Sequence, residues 1–247
     1  MGRALAAERV RRDVEVLARA GLDLDTFVEE AMASLQRAVP FDGVCVGSID
    51  PSTGLLTGTR KLGSLRGVNE HDRDWGLLEY GEPEATTFSE MLSGGVLAAG
   101  LQAGTVGDPA ESARLQEFMI PRFGYADELR TVCVDDRGQW WAGVAMFRLR
   151  GEPGFDADEV AYLASLSGSL ALGMRGGLLT TLASTGPANL PGPVVLIIDA
   201  SNQVAQASAG AAGRLEHLTS SSPLDGGTTG LIGSLVGAAR RYARGES

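Results

Sequence analysis

Apolar residues at helical spacing open the chain. Within residues 3 to 20, Val10, Val14 and Leu17 fall at i, i+4 and i+7, one stripe of a helix whose other faces carry arginines. A second stripe follows in Leu24, Phe27, Val28, Ala31, Leu35 and Ala38. Asp25 or Thr26 stands where its cap belongs, Glu29 completes a capping box with Thr26, and Pro40 ends it. The period then shortens to that of strands. "FDGVCVGSID", the turn "PSTG" and "LLTGTRKLG" predict a β-hairpin over 43–62. "LRTVCVDDRGQWWAGVAMFRLR" predicts another over 129–150, turning at Asp135 to Gly138, where glycine admits positive φ. Asp156 and Glu159 then form a second capping box, and Leu163, Leu166, Leu170 and Met174 are the stripe of one long helix from 156 to about 182.

The order is helix, hairpin, a middle segment over 63–128 with short helices, hairpin, helix. Few βαβ crossovers fit, so the class is α+β, an antiparallel sheet flanked by helices. The first and last helices are expected on one face. The middle segment is expected on the other, enclosing whatever the domain binds. Further on, Val194 to Ile198 reads as a short buried strand, Asp199 to Asn202 as a turn, Val204 to Ala207 as the returning strand and Ala209 to Leu218 as a helix. The resulting division is an N-terminal helix (1–20), a first domain (21–183), a linker (184–193) and a partial second unit (194–247), the last about as short as a domain can be at roughly 50 residues.

Bulk properties narrow the function. A net charge of −10 with scattered arginines argues against direct nucleic-acid binding, which needs clustered Lys and Arg. No apolar run reaches the length of a membrane span, and the N-terminus lacks the apolar stretch of a signal peptide. Two cysteines, Cys45 and Cys133, make neither a disulfide framework nor a zinc signature, and the cytoplasm is the expected compartment. No catalytic apparatus is legible. The histidines, His71 and His217, are far apart, and there is no G-x-S-x-G elbow, P-loop or G-x-G-x-x-G after a strand.

The stretches "LDTFVEEAMASLQRAVPFDGVCVGSIDPSTGLLTGT" and "DELRTVCVDDRGQWWAGVAMFRLRGEPGFDADEVAYLASLSGSLALGMRGGLL" resemble the opening and closing patterns of a GAF domain. "LLEYGEPEATTFSEMLSGG" followed by "IPRFGYADELR" is similar to the sensor region of actinobacterial LuxR-type transcription regulators. In that group a PAS-like segment follows, beginning much like "GPVVLIIDASNQVAQASAGAAGRL", and a helix-turn-helix domain closes the chain. The resemblance implies a sensory module whose pocket takes a small-molecule effector and whose DNA-binding output domain lies outside this chain. A homodimer is the expected assembly. The resemblance names no cofactor. The rival expectation is a ligand-free dimerisation or interaction scaffold built on the first and last helices.

The expected pocket draws on Trp75, on Phe88 and Met91 of "FSEML", and on Phe118, Met119 and Phe123 of "LQEFMIPRFGY". From the second hairpin come Thr131 and Cys133, which share a face by alternation, and Trp141, Val144 and Met146. Such Met and Phe residues form core more often than ligand sites, though methionine suits an adaptable pocket. Autoinducer-binding LuxR relatives hold an acyl-homoserine lactone with a Trp, a Tyr and an Asp. Here Trp75, Tyr80 and Glu84 differ in spacing and in the third residue, so that ligand is not implied. The acidic stretch over 69–84 reads as a solvated loop, since one His among acids is poor metal-ligand spacing. Cys45 and Cys133 read as small hydrophobes, with oxidation sensing as the alternative if their strands meet.

Overall fold

Antiparallel ladders join five strands in the order β2-β1-β5-β4-β3: β1 (Gly43–Ile49), β2 (Leu56–Gly63), β3 (Ala98–Gly100), β4 (Tyr125–Val134) and β5 (Trp140–Leu149). This computed structural model describes residues 2–81, 84–103, 110, 112–185, 194–218 and 227–245. Both predicted hairpins form, with Gly54 and Gly138 at positive φ in their turns. The short strand β3 has no alternating pattern to announce it. The fold is α+β.

One face of the sheet is covered by α1 (Gly2–Leu17), α2 (Leu24–Leu35), α6 (Ala157–Ala164) and α7 (Ser167–Thr185). Val44, Val46, Leu129, Val144 and Met146 meet Val14, Phe27, Val28, Leu163 and Leu170 there in one apolar cluster. Asp23, rather than Asp25 or Thr26, caps α2, because its Oδ1 accepts the Thr26 N–H at 3.0 Å. Glu29 instead pairs with Arg66. The Asp156–Glu159 box is present, with Glu159 N–H donating to Asp156 Oδ1 at 2.8 Å and Asp156 N–H to Glu159 Oε2 at 3.0 Å. The expected single helix after it breaks in two. Ser167 donates its hydroxyl to the Val132 carbonyl at 2.7 Å and accepts the Val134 N–H at 3.0 Å, tying the start of α7 to the sheet.

The opposite face carries α3 (Asp72–Gly81), α4 (Phe88–Ser93), and a π-helical turn (Arg114–Met119) running into α5 (Ile120–Phe123). The stretch read as a solvated loop is therefore largely helix α3, with Asp72 and Glu79 buried. Asp72 and Glu79 are not solvated because Lys61 and Arg130 of the sheet meet them.

Beyond the first sheet, β6 (Leu196–Ile198) and β7 (Val204–Ala207) form a two-stranded hairpin followed by α8 (Ala211–Leu218). The Asp199 carboxylate accepts the N–H groups of Ser201 and Gln203 in its turn, and Asn202 takes φ 60°. The strand expected to be buried is not. Val195, Ile197 and Val204 are 63%, 52% and 41% exposed, because a two-stranded ribbon has no second layer to cover it. Of the expected linker, residues 186–193 lie outside the described residues. The last helix, α9 (Gly227–Ala243), packs back on α3 and β2 of the first sheet. Among the described residues no helix is long and apolar enough to cross a membrane.

Adjacent glycines of α7 should respond oppositely to a methyl group. A Cβ on Gly177 would lie 2.7 Å from the Leu24 Cα, whereas one on Gly176 meets nothing within 4 Å. Gly177→Ala should lose about 1–3 kcal/mol through overpacking. Gly176→Ala should gain up to about 1 kcal/mol from helix propensity. Urea midpoints of the two variants check the difference in sign.

Candidate functional site

Strand alternation builds a low floor with charged flanks. On the face opposite α2 and α7, β1 presents Cys45 and Gly47, and β5 presents Gly143 and Ala145, all small. The flanking strands present Lys61 from β2 and Arg130 from β4. Helix α3 lies above them. Its Asp72, Trp75, Gly76 and Glu79 fall at i, i+3, i+4 and i+7 and so share one face. Gly230 and Ser234 of α9 complete the wall, with Leu56, Thr59, Tyr80 and Phe88. The cavity is partly open, with Cys45 half-buried in its floor, and its volume is about 50 Å³, room for a few water molecules. A larger open groove between α1 and α6 is lined by three alanines and Val39, with Asp158, Glu159 and Tyr162. It lacks convergent polar groups, since Glu159 is engaged by Arg148 at 2.8 Å.

The cavity's charges are paired with one another. Lys61 Nζ meets Asp72 and donates to the Val68 carbonyl at 2.6 Å. Arg130 donates from Nη2 to Glu79 Oε2 at 2.6 Å and from Nη1 to the Thr86 carbonyl at 2.8 Å. The other Glu79 oxygen accepts the Phe88 N–H at 2.7 Å, and the Phe88 ring lies 3.7 Å under the Arg130 guanidinium. The chain of charge continues away from the cavity. Arg114 Nη2 donates to Glu128 Oε2 at 2.7 Å, Ser112 donates to Glu84 Oε1 at 2.6 Å, and Glu84 Oε2 accepts the Arg114 N–H at 3.3 Å. Arg130 Nε is buried and has no hydrogen-bond partner among the described residues, its nearest carboxylate oxygen on Glu128 standing 3.7 Å away.

Of the residues predicted from sequence, Trp75 and Phe88 line the cavity. Met91, Phe118, Met119 and Phe123 sit on the same side of the sheet but in the apolar cluster beside it. Phe118 packs edge-on against Trp75 and His71, and Phe123 packs edge-on against His71 and tilted against Trp75, with Phe147 and Tyr125 beyond. Thr131, Cys133, Val144 and Met146 project to the other face, among the helices, with Thr131 donating to the Leu97 carbonyl at 2.7 Å. Trp141 also belongs to the helix side, and Trp140 to the cavity side. The reason is a bulge: Val134 pairs with Trp140 and Cys133 with Ala142, so β5 carries one extra residue there.

The cysteines do not meet. Strand β5 separates β1 from β4, and the two thiols point to opposite faces. Two strand spacings exceed the reach of a disulfide. Burial pushes both thiols up to about 12, which leaves little thiolate at neutral pH.

Sequence reasoning missed Lys61, Asp72, Glu79 and Arg130. Its available signal was the charge inside strands: "TGTRKLG" and "DELRTVCV" place Lys61, Glu128 and Arg130 amid apolar neighbours, where an unpaired charge is costly. Gly230 and Ser234 had no such signal.

Neither protein-family models nor curated proteins gave a match to this sequence. Solved structures similar in shape include the GAF domain of a phosphoenolpyruvate-protein phosphotransferase from Coxiella burnetii, at 16% identity and TM-score 0.45, covering 72% of this chain and 98% of that one. The phycoerythrobilin-bound GAF domain of a cyanobacterial phytochrome is similar at 12% identity and TM-score 0.46, covering 70% and 96%. The chromophore-binding domain of a bacteriophytochrome from R. palustris is similar at 14% identity and TM-score 0.42, covering 70% and 62%. At this distance the likenesses do not bear on function.

The Glu84 carboxyl has a legible pH dependence. Burial works to raise it, but the Arg114 guanidinium, the Ser112 hydroxyl and the Arg114 amide outweigh burial and hold it below the usual carboxylate range. A lowered folded value contributes stability that is present above the unfolded pKa, about 4.3, and lost as pH falls through the folded value. Melting temperatures between pH 7 and strong acid should show this loss in the native chain. In Glu84→Gln the acid limb should be shallower, starting from a lower melting temperature at pH 7.

Proposed function

We propose that this chain is a GAF-type sensory module that takes a small-molecule effector in the cavity between the sheet and α3. The observation that carries the reading is the cavity itself, where two ion pairs, Lys61–Asp72 and Arg130–Glu79, converge with Trp75, Tyr80 and Phe88 around a floor of small residues. Few convergent polar groups in an otherwise apolar recess are the usual mark of a ligand site. A compact, partly apolar body with a polar end is the chemistry this lining would recognise. Neither a nucleophile paired with a base nor a phosphate cradle stands among the lining residues, so the reading is of a binding module rather than an enzyme. In the finer form of the proposal, the module belongs to a cytoplasmic, dimeric LuxR-type regulator. Effector binding there alters how a DNA-binding domain outside this chain is presented, and this chain makes no contact with DNA.

One observation favours the scaffold reading instead. A cavity of about 50 Å³ has room for only a few water molecules, and its charges are paired with one another. A scaffold would keep that interior filled and signal through a partner.

Native mass spectrometry of the chain purified from its own host separates the two. A compound bound near one per chain, released on denaturation and identified by mass, is the expected result. A chain that stays at its bare mass, and whose melting temperature does not rise in a metabolite extract of that host, makes the scaffold the function.

A further inference from the structure

The wall that α9 contributes is unlike the rest of the cavity. It is made by backbone and a hydroxyl, Gly230 and Ser234, rather than by anchored side chains. The crossing with α3 is a fit of small residues. A Cβ on Gly76 would lie 2.7 Å from the Ser234 nitrogen, one on Gly237 would lie 3.0 Å from the Gly81 nitrogen, and one on Gly233 would overlap the Arg73 carbonyl. Such a crossing is close and carries few large apolar side chains, Val236 buried and Leu231 and Ile232 half-buried on α9, so it is held by many weak contacts. Ser234 leaves no polar group stranded when it separates, because its hydroxyl donates to the Gly230 carbonyl within α9 at 2.9 Å. At the far end, Arg241 pairs with Glu90 and Arg244 donates to the Gly81 carbonyl. Both ties are made by flexible arginine side chains at the end of α9.

The same helix is connected outward. Arg240 donates to the Asp199 carbonyl at 2.9 Å, in the turn of the β6–β7 hairpin. Helix α8 also packs on α9. Whatever moves α9 therefore moves the hairpin unit with it.

We propose that α9 is a built-in gate of the cavity: docked on α3 it reduces the site to water size, and an effector occupies the site only when α9 swings away, carrying the hairpin unit with it. This rests on the reading of the cavity as an effector site, and it identifies the moving part. With α9 gone from the wall, the recess over Cys45, Gly47 and Thr59 opens to solvent beside α3. The larger volume then admits a metabolite, which removes the conflict between the cavity's chemistry and its size.

Cys45 reports the gate without any effector. It lines the cavity, while Cys133 lies on the opposite face and serves as an internal control. The full chain is treated with iodoacetamide under native conditions, and the extent of modification at each cysteine is read by peptide mass over time. Gly233→Leu drives its side chain into the Arg73 carbonyl and should accelerate Cys45 by about tenfold, with Cys133 unchanged, as a local opening requires. Arg241→Ala combined with Arg244→Ala removes the two edge ties and should move Cys45 in the same direction by a smaller factor. It stands as the second arm should Gly233→Leu fail to fold. Unchanged Cys45 reactivity in the variants overturns the gate. Equal acceleration of Cys45 and Cys133 also overturns it, because α9 would then be part of the fold's integrity rather than a door. The outcome is independent of whether a compound co-purifies with the chain. The gate can stand where the effector reading fails, and the effector reading can stand where the gate fails.

Discussion

The guanidinium of Arg130 ties α3 and α4 to the sheet. It projects from β4 into a region with almost no solvent, and three things meet it: the Glu79 carboxylate, the Thr86 carbonyl and the face of Phe88. These belong to α3, to the segment after it and to α4. A planar fork with fixed donor directions admits one placement of those groups, which lysine could not impose. The desolvation of such a charge is large, and its partners offset that cost only when the geometry is good. The arrangement is therefore less a source of net stability than a constraint. Removing Glu79 or Arg130 alone leaves a bare charge in the interior, which costs about 3–5 kcal/mol.

The two faces of the sheet are assembled on different physics. On the helix face, alternate residues of β1, β4 and β5 are Val, Leu, Ala and Met, and α2 and α7 close on them by apolar packing, with glycines such as Gly177 setting the helix separation. On the cavity face the residues under α3 are small or charged, with Val132, Trp140 and Phe147 in an apolar cluster beside them. Their partners lie in short helices that no apolar stripe alone would hold down. Apolar burial is non-directional and tolerant of small shifts. Ion pairs in low dielectric are directional and intolerant of them.

This difference also explains what the sequence made legible. Hairpins, capped helices and the layer order follow from periodicity and local hydrogen bonding, which short windows contain. Asp156 and Glu159 cap α6 as their spacing predicts. Asp23 displaced Thr26 at α2 because a carboxylate one turn earlier could accept both the N–H and the hydroxyl of Thr26. The cavity was less legible because its walls come from β2, α3, β4 and α9, far apart in sequence, and pair through charges that each look like surface residues in isolation. Strict alternation puts Trp141 on the face of Gly143 and Ala145, and one bulge residue reverses it together with Trp140. The α9 contact was least legible of all. Glycine and serine at i, i+3, i+4 and i+7 carry no apolar signal, and their meaning appears only where another glycine-bearing helix lies against them.

A gate of this construction carries an energetic consequence for any occupant. An effector shifts the docked–undocked equilibrium only by its differential affinity for the two states. Its apparent affinity falls by the fraction of chains in which α9 is already undocked. A crossing built from glycines keeps that penalty small, since little apolar surface is re-exposed when it parts. A leucine-rich seam in the same place would shut the cavity more firmly but would leave a metabolite too little binding energy to open it. The small residues of α9 thus place the helix where a compact ligand can compete with it, and Arg240 links the result of that competition to the hairpin beyond.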